Sequence, residues 1–190
     1  KAVNGLLQLF RADLRQYDHL WDSSVDHVWG KEILAHDQWY IFLASLLGKL
    51  EFVDQPLLGY RQHGDNTYGV RATETAFHRL KMRFAHFAEQ DVAAARSADS
   101  RADVAEEIAA TEQRQELREV AALYRTLARR LYRRAATYGA PTLANRARSA
   151  ATAVRSGDYQ GGTWAFRKES LIRDLWSGVL LRKQSDPALE

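Results

Sequence analysis

His36-Asp37-Gln38-Trp39-Tyr40-Ile41-Phe42-Leu43-Ala44-Ser45-Leu46-Leu47-Gly48 is the stretch on which the fold turns. Trp39, Tyr40, Phe42, Leu43, Leu46 and Leu47 recur at the spacing of one helix face, and Gly48 stands where such a helix is expected to end. The pattern predicts a buried helix over 38–47. Downstream, 50–53 and 57–60 are short apolar runs separated by Asp54-Gln55-Pro56, a turn composition, and they predict two short strands. Upstream, 6–10 reads as a strand-like stretch and 17–29 as a polar loop. Residues 1–70 are therefore expected to mix short strands, loops and one helix.

From Thr73 onward the composition turns to Ala, Arg, Glu, Gln and Leu, with no proline before Pro141. Long helices are expected over 75–94, over 101–138 as one helix or a pair, and over 141–156. A loop follows around Gly157, Gly161 and Gly162, then a last helix over 168–181. Helix is expected to predominate overall, with a boundary near residue 70 dividing the chain into 1–70 and a helical extension, 71–190.

The 190 residues are 46% hydrophobic and 27% charged, enough for one compact domain or a small domain with a helical appendage. There is no cysteine, which removes disulfides, thiolate metal sites and a cysteine nucleophile, and agrees with a reducing compartment. The longest apolar run, 39–47 with a serine inside it, falls far short of the ~20 residues a membrane span needs. A soluble or peripheral protein is expected. Residues 1–10 lack the features of a signal peptide, and without a starting methionine the chain reads as cut from something longer. The net charge of +3 hides an asymmetry: 12 basic against 16 acidic residues up to Ala110, then 15 against 8.

Two segments carry candidate chemistry. Asp37 stands at the predicted start of the helix, where aspartate is a favoured N-cap and complements the helix dipole. The same backbone donors favour a carboxylate, the form a general base needs. The second segment is Tyr60-Arg61-Gln62-His63-Gly64-Asp65-Asn66, a polar loop leaving a predicted strand. There His63 offers an imidazole to a metal and Arg61 a planar fork to phosphate or carboxylate. Each also fits a plain surface or turn role, and no metal-site spacing rule is met.

Taken together, His36-Asp37-Gln38-Trp39, Gly48-Lys49, Asp54-Gln55-Pro56-Leu57 and Tyr60-Arg61-Gln62-His63-Gly64-Asp65-Asn66 resemble the closing segment of family 2 glycosyltransferases, particularly bacterial rhamnosyltransferase-like members. Asn4-Gly5 before 6–10 is similar to the glycine loop and strand that precede this segment in the family. The resemblance implies an α/β fragment, the acceptor-side part of a GT-A domain over 1–70, followed by a mainly helical extension. It further implies inverting transfer of a sugar from a nucleotide-sugar donor to a saccharide or lipid-linked acceptor in cell-surface polysaccharide synthesis, in the cytoplasm, with peripheral contact at the inner membrane face left open.

Under this resemblance Asp37 is the catalytic base and His63 a ligand of a divalent metal, Mg or Mn. Gly5 permits close backbone approach to a substrate, and His36, Trp39 and Arg61 line the donor or acceptor, a core role for Trp39 remaining an equal alternative. The family's upstream nucleotide-binding strands and its Asp-x-Asp motif are missing from the sequence, so the chain alone is expected to be inactive. A different class of function competes with this, a helical membrane-docking or protein-interaction module retaining a transferase remnant. It draws on Arg125, Arg129, Arg130, Arg133 and Arg134, interleaved with Tyr124, Leu127, Leu131 and Tyr132. That stripe reads as a solvated helix face, as a membrane-facing surface together with Trp164, Phe166, Leu171 and Trp176, or, least favoured, as a nucleic-acid contact. No nucleic-acid motif accompanies it.

Overall fold

In a computed structural model of the chain, the described residues are 8–27, 32–55, 59, 88–160 and 168–180. The elements are a 3-10 helix, Ala12–Ser23, and five α-helices: α1 His36–Leu47, α2 Ala88–Thr111, α3 Gln115–Gly139, α4 Leu143–Arg155 and α5 Lys168–Asp174. The last runs into a π-helical turn, Leu175–Leu180.

No strand occurs among the described residues, which overturns the α/β expectation. Residues 50–53 carry no regular secondary structure, and Leu50, Phe52 and Val53 are exposed, so this apolar run is not a strand. Of the partner run 57–60, only Gly59 lies within the described residues. Residues 8–10 are likewise irregular, and Phe10 instead stacks on Tyr40 at 4.0 Å between ring centroids.

The polar loop expected over 17–29 is also corrected, because most of it is helical. Leu14, Tyr17 and Leu20 recur every third residue, the period that aligns side chains along a 3-10 helix, and they turn one face to the core. Ser100 Oγ donates to the Ser23 carbonyl at 2.8 Å and fixes the helix end to α2.

Helices α2 and α3 form an antiparallel hairpin whose seam follows a four-three spacing on both sides. On α2 it runs through Asp91, Ala95, Ala98, Ala102, Ala105 and Ala109, and on α3 through Leu117, Ala121, Tyr124, Ala128, Leu131, Ala135 and Tyr138. Alanines dominate the seam, so the two helices meet through small side chains that permit close backbone approach. The 3-10 helix and α1 cover the end of the hairpin near its turn. Tyr17, Leu20, Leu34, Trp39, Phe42 and Leu43 make one apolar cluster there with Val104, Ile108, Ala109 and Leu117. Burial of each large side chain in this cluster contributes about 2 kcal/mol.

A break was expected between 94 and 101, yet α2 continues unbroken to Thr111. The chain reverses instead at Gln113, whose φ of 55° is left-handed, while the Arg114 N–H donates to the Ala109 carbonyl at 3.1 Å. This is the helix-ending geometry usually given to glycine. At the end of α4 glycine does hold that position. Gly157 has φ 71°, its N–H reaches the Val154 carbonyl, and the Asp158 N–H reaches the Ala153 carbonyl. Thr142 caps the start of α4, its Oγ1 accepting from the Asn145 N–H at 3.2 Å.

Arginines fasten the C-terminal helices to the hairpin. Arg133 grips Asp158 through two bonds, Nε to Oδ2 at 2.7 Å and Nη2 to Oδ1 at 2.5 Å. Arg146 of α4 donates through Nε to the Val179 carbonyl at 3.0 Å. Arg134, almost wholly buried, donates through Nε to Asp174 Oδ2 at 2.7 Å and lies 3.7 Å from Asp91 Oδ1. Tyr138 and Tyr159 also donate to Asp174, at 2.9 and 3.0 Å. Gly178 lies flat against the Tyr138 ring, where an added Cβ would meet ring atoms at 3.3 Å. Of the expected solvated arginine stripe, Arg134 is buried, Arg125, Arg130 and Arg133 are half-buried and Arg129 is exposed.

Two outcomes follow from this arrangement. Gln113→Gly should raise the free energy of urea unfolding by about 1 kcal/mol, because it removes the Cβ clash of a left-handed residue; an unchanged or lowered midpoint would assign the turn to the glutamine side chain. Asp174→Ala should cost about 3–5 kcal/mol, since it leaves Arg134 charged and buried beside a lost partner. Arg133→Gln, at a half-exposed site, should cost distinctly less in the same assay.

Candidate functional site

The best placed of the expected site residues is Asp37. The backbone before α1 is clamped from both sides: the Trp21 indole donates to the Leu34 carbonyl at 2.7 Å, and the Leu34 N–H donates to Ser24 Oγ at 3.0 Å. Tyr40 donates to Asp18 Oδ1 at 2.9 Å and fastens the first turn of α1 to the 3-10 helix. Burial and the Asp18 carboxylate both push the Tyr40 phenol up from its ordinary value. The entrance of α1 is therefore held by the 3-10 helix and the Ser24 that follows it.

Asp37 does not cap this helix. Ala35 occupies the N-cap position without a side-chain bond, and Asp37 sits in the first turn, its Oδ1 accepting from the Gln38 N–H at 2.9 Å. Its side chain is partly exposed, and among the described residues no other group hydrogen-bonds to it. The position still complements the positive end of the helix dipole. His36 precedes it and is exposed.

Trp39 points the other way. It is wholly buried, tilted against Phe42 at 5.9 Å between centroids, so the structure assigns it to the core rather than to a substrate surface. Its Nε1 finds no hydrogen-bond partner among the described residues. Trp39 serves the site indirectly, by fixing the rotation of α1 so that Asp37 faces outward. Gly5, Arg61 and His63 lie outside the described residues. Among the described residues no group of three histidines and carboxylates is placed to hold a metal ion.

A second cluster, missed in the sequence, centres on Asp174. Burial works against the Arg134 charge, but Asp91 and Asp174 outweigh it and raise its pKa. Burial pushes the Tyr138 and Tyr159 phenols well up, and the Asp174 carboxylate beside them adds to the shift. Arg173 Nε approaches Asp174 Oδ1 at 3.5 Å, so two arginines face two aspartates. Such a cluster, charge-balanced and sealed, suits a structural clasp more than catalysis. Its signal lay in the seam, where Asp91, Arg134 and Tyr138 interrupt or border an apolar heptad face.

Between α4 and the 168–180 segment lies an apolar groove of about 330 Å3. No helix among the described residues is long and apolar enough to cross a membrane. Comparison with protein families, with curated proteins and with solved structures finds no match.

The tyrosine shifts have a signed consequence. In the unfolded chain Tyr138 and Tyr159 lose their protons near pH 10, whereas in the folded chain they keep them to higher pH. The unfolded state then binds fewer protons, so stability is retained below pH 10 and falls as pH rises above it. Urea midpoints measured from pH 8 to 11 should show this fall, and Tyr159→Phe should reduce its slope by about 1.4 kcal/mol per pH unit. An unchanged slope would place Tyr159 in water.

Proposed function

We propose that this chain contributes the acceptor-side base of an inverting glycosyltransferase. The observation that carries the reading is the placement of Asp37. It is a partly exposed carboxylate in the first turn of a helix that is clamped at its entrance by Trp21, Ser24 and Tyr40 and locked in the core by Trp39. The resemblance of His36-Asp37-Gln38-Trp39 and Tyr60-Arg61-Gln62-His63-Gly64-Asp65-Asn66 to the family's closing segment supplies the reaction class.

In this reading a carboxylate oxygen of Asp37 takes the proton from an acceptor hydroxyl as that oxygen forms a bond to the anomeric carbon. The bond from that carbon to the nucleotide diphosphate breaks, and the electron pair leaves with the diphosphate. The configuration at the carbon inverts. A nucleotide-binding part with an Asp-x-Asp motif is required from outside these 190 residues, because the sequence contains none. The acceptor is a saccharide or a lipid-linked saccharide, and His63 and Arg61 keep their proposed places near the metal and the diphosphate.

A second reading is favoured by the helical character of every described element. There the chain is an interaction module that retains the segment without using it. One substitution separates the two. Asp37→Asn, made in the polypeptide that joins this segment to an Asp-x-Asp half, should lower sugar transfer by about 10²–10⁴-fold while leaving the thermal midpoint unchanged. Turnover near the starting rate, with the protein folded, would favour the interaction module.

A further inference from the structure

We infer that the face formed by α4 and the 168–180 segment is a docking surface for an anionic lipid bilayer. This is independent of the transfer chemistry and rests on different residues. The face concentrates large apolar side chains that a water-facing helix pair would ordinarily bury. Leu143 and Val154 of α4 are exposed, as are Ile172, Leu175, Trp176 and Leu180 of the neighbouring segment, with Trp176 at 51% and Leu180 at 60%. Between the two segments runs the open groove of about 330 Å3, its walls including Ala147, Ala151, Val154, Leu171 and Leu175.

Charge decides what this face meets. Residues 143–155 contain three arginines and no acidic residue. Arg146 is buried and engaged with the Val179 carbonyl, which leaves Arg148 and Arg155 exposed on α4, Arg155 at the rim of the groove. Of the acidic residues between 141 and 180, Asp158 and Asp174 are fully buried and paired with arginines, and the third is Glu169 in the first turn of α5. The folding network therefore neutralises Asp158 and Asp174, and the exposed surface of α4 is apolar and edged by positive charge alone.

That combination fits a lipid headgroup layer better than a folded protein partner or a small ligand. Ligand pockets set a few convergent polar groups to orient their contents, whereas this groove is lined by Ala, Val and Leu side chains with Arg155 alone at its rim. A half-exposed tryptophan beside leucines settles at the headgroup boundary, and flanking arginines reach outward to phosphate. The helices are too short to span a bilayer, so they lie in its plane, α4 and the 168–180 segment side by side. Three arginines of the α3 stripe, Arg125, Arg133 and Arg134, are by contrast tied to Asp99 and Asp103, to Asp158, and to Asp174 respectively.

The test is co-sedimentation of the full chain with vesicles of phosphatidylcholine alone and with about one third phosphatidylglycerol. Binding is expected to the anionic vesicles only, and to weaken as salt rises. Leu175→Ser with Trp176→Ser should reduce partitioning by at least about tenfold. Arg148→Gln and Arg155→Gln should each reduce it by about fivefold. All four side chains are at the surface, so an unchanged thermal midpoint certifies the variants. No sedimentation with anionic vesicles, or binding indifferent to the Leu175 and Trp176 substitutions, overturns the inference. Self-association by analytical ultracentrifugation that those substitutions abolish, without vesicle binding, reassigns the face to a second copy of the chain.

Discussion

A single buried carboxylate, Asp174, determines how the C-terminal third of this protein is arranged. It draws the Arg134 guanidinium and the Tyr138 hydroxyl from α3, the Tyr159 hydroxyl from the turn after α4, and Arg173 from its own helix. Taking charges out of water is costly, and the cost is offset only where each charge is matched and each lone pair satisfied. Here two arginines face two aspartates, so the cluster is near neutrality. Its value lies in orientation: no other position of the 168–180 segment would satisfy these donors together. The flat approach of Gly178 to the Tyr138 ring uses the absence of a Cβ, which would press on the ring at 3.3 Å.

The same economy of charge connects structure to surface. Arginines that lie side by side in sequence, Arg133 and Arg134, diverge in space to two different carboxylates, one in the turn closing α4 and one at the end of α5. Gly157 makes the first of these possible, since its left-handed backbone turns the chain so that Asp158 meets Arg133. At the opposite end of the hairpin the fastening is apolar. Trp39, Phe42 and Leu43 of α1 enter the cluster formed by Val104, Ile108, Ala109 and Leu117, and Phe42 meets Tyr124 edge-on at 6.2 Å. Asp37 owes its outward aim to that anchoring.

Much of the helical content was legible in the sequence. The spacing from Trp39 to Leu47 and the terminal Gly48 located α1, and Pro141 located the start of α4 to within two residues. What was not legible had physical causes. Leu14, Tyr17 and Leu20 follow a period of three, which reads as neither strand nor α-helix. The reversal between α2 and α3 uses Gln113 in place of glycine, so no turn residue announced it. The run 50–53 has strand composition but no ladder, because pairing is a property of two segments and not of one. For the site, Asp37 was legible as a helix-entrance carboxylate, though two positions inside the cap, while the Asp174 cluster depends on contacts up to 43 residues apart and signals itself only through the polar interruptions of the seam.

The alanine seam has a further consequence for how the hairpin chooses its alignment. A row of nearly identical small side chains resembles a ruler with evenly spaced marks, and sliding one helix along the other by a heptad would return almost the same apolar contacts. What distinguishes one alignment from the next is Asp91, the lone charge on the α2 side of the seam, which meets Arg134 only when the helices are in their observed register. Displaced by seven residues, that carboxylate would find Leu127 or Pro141 in the place of Arg134. The buried aspartate thus acts as an index mark, giving up some packing energy to make a repetitive interface read in a single way.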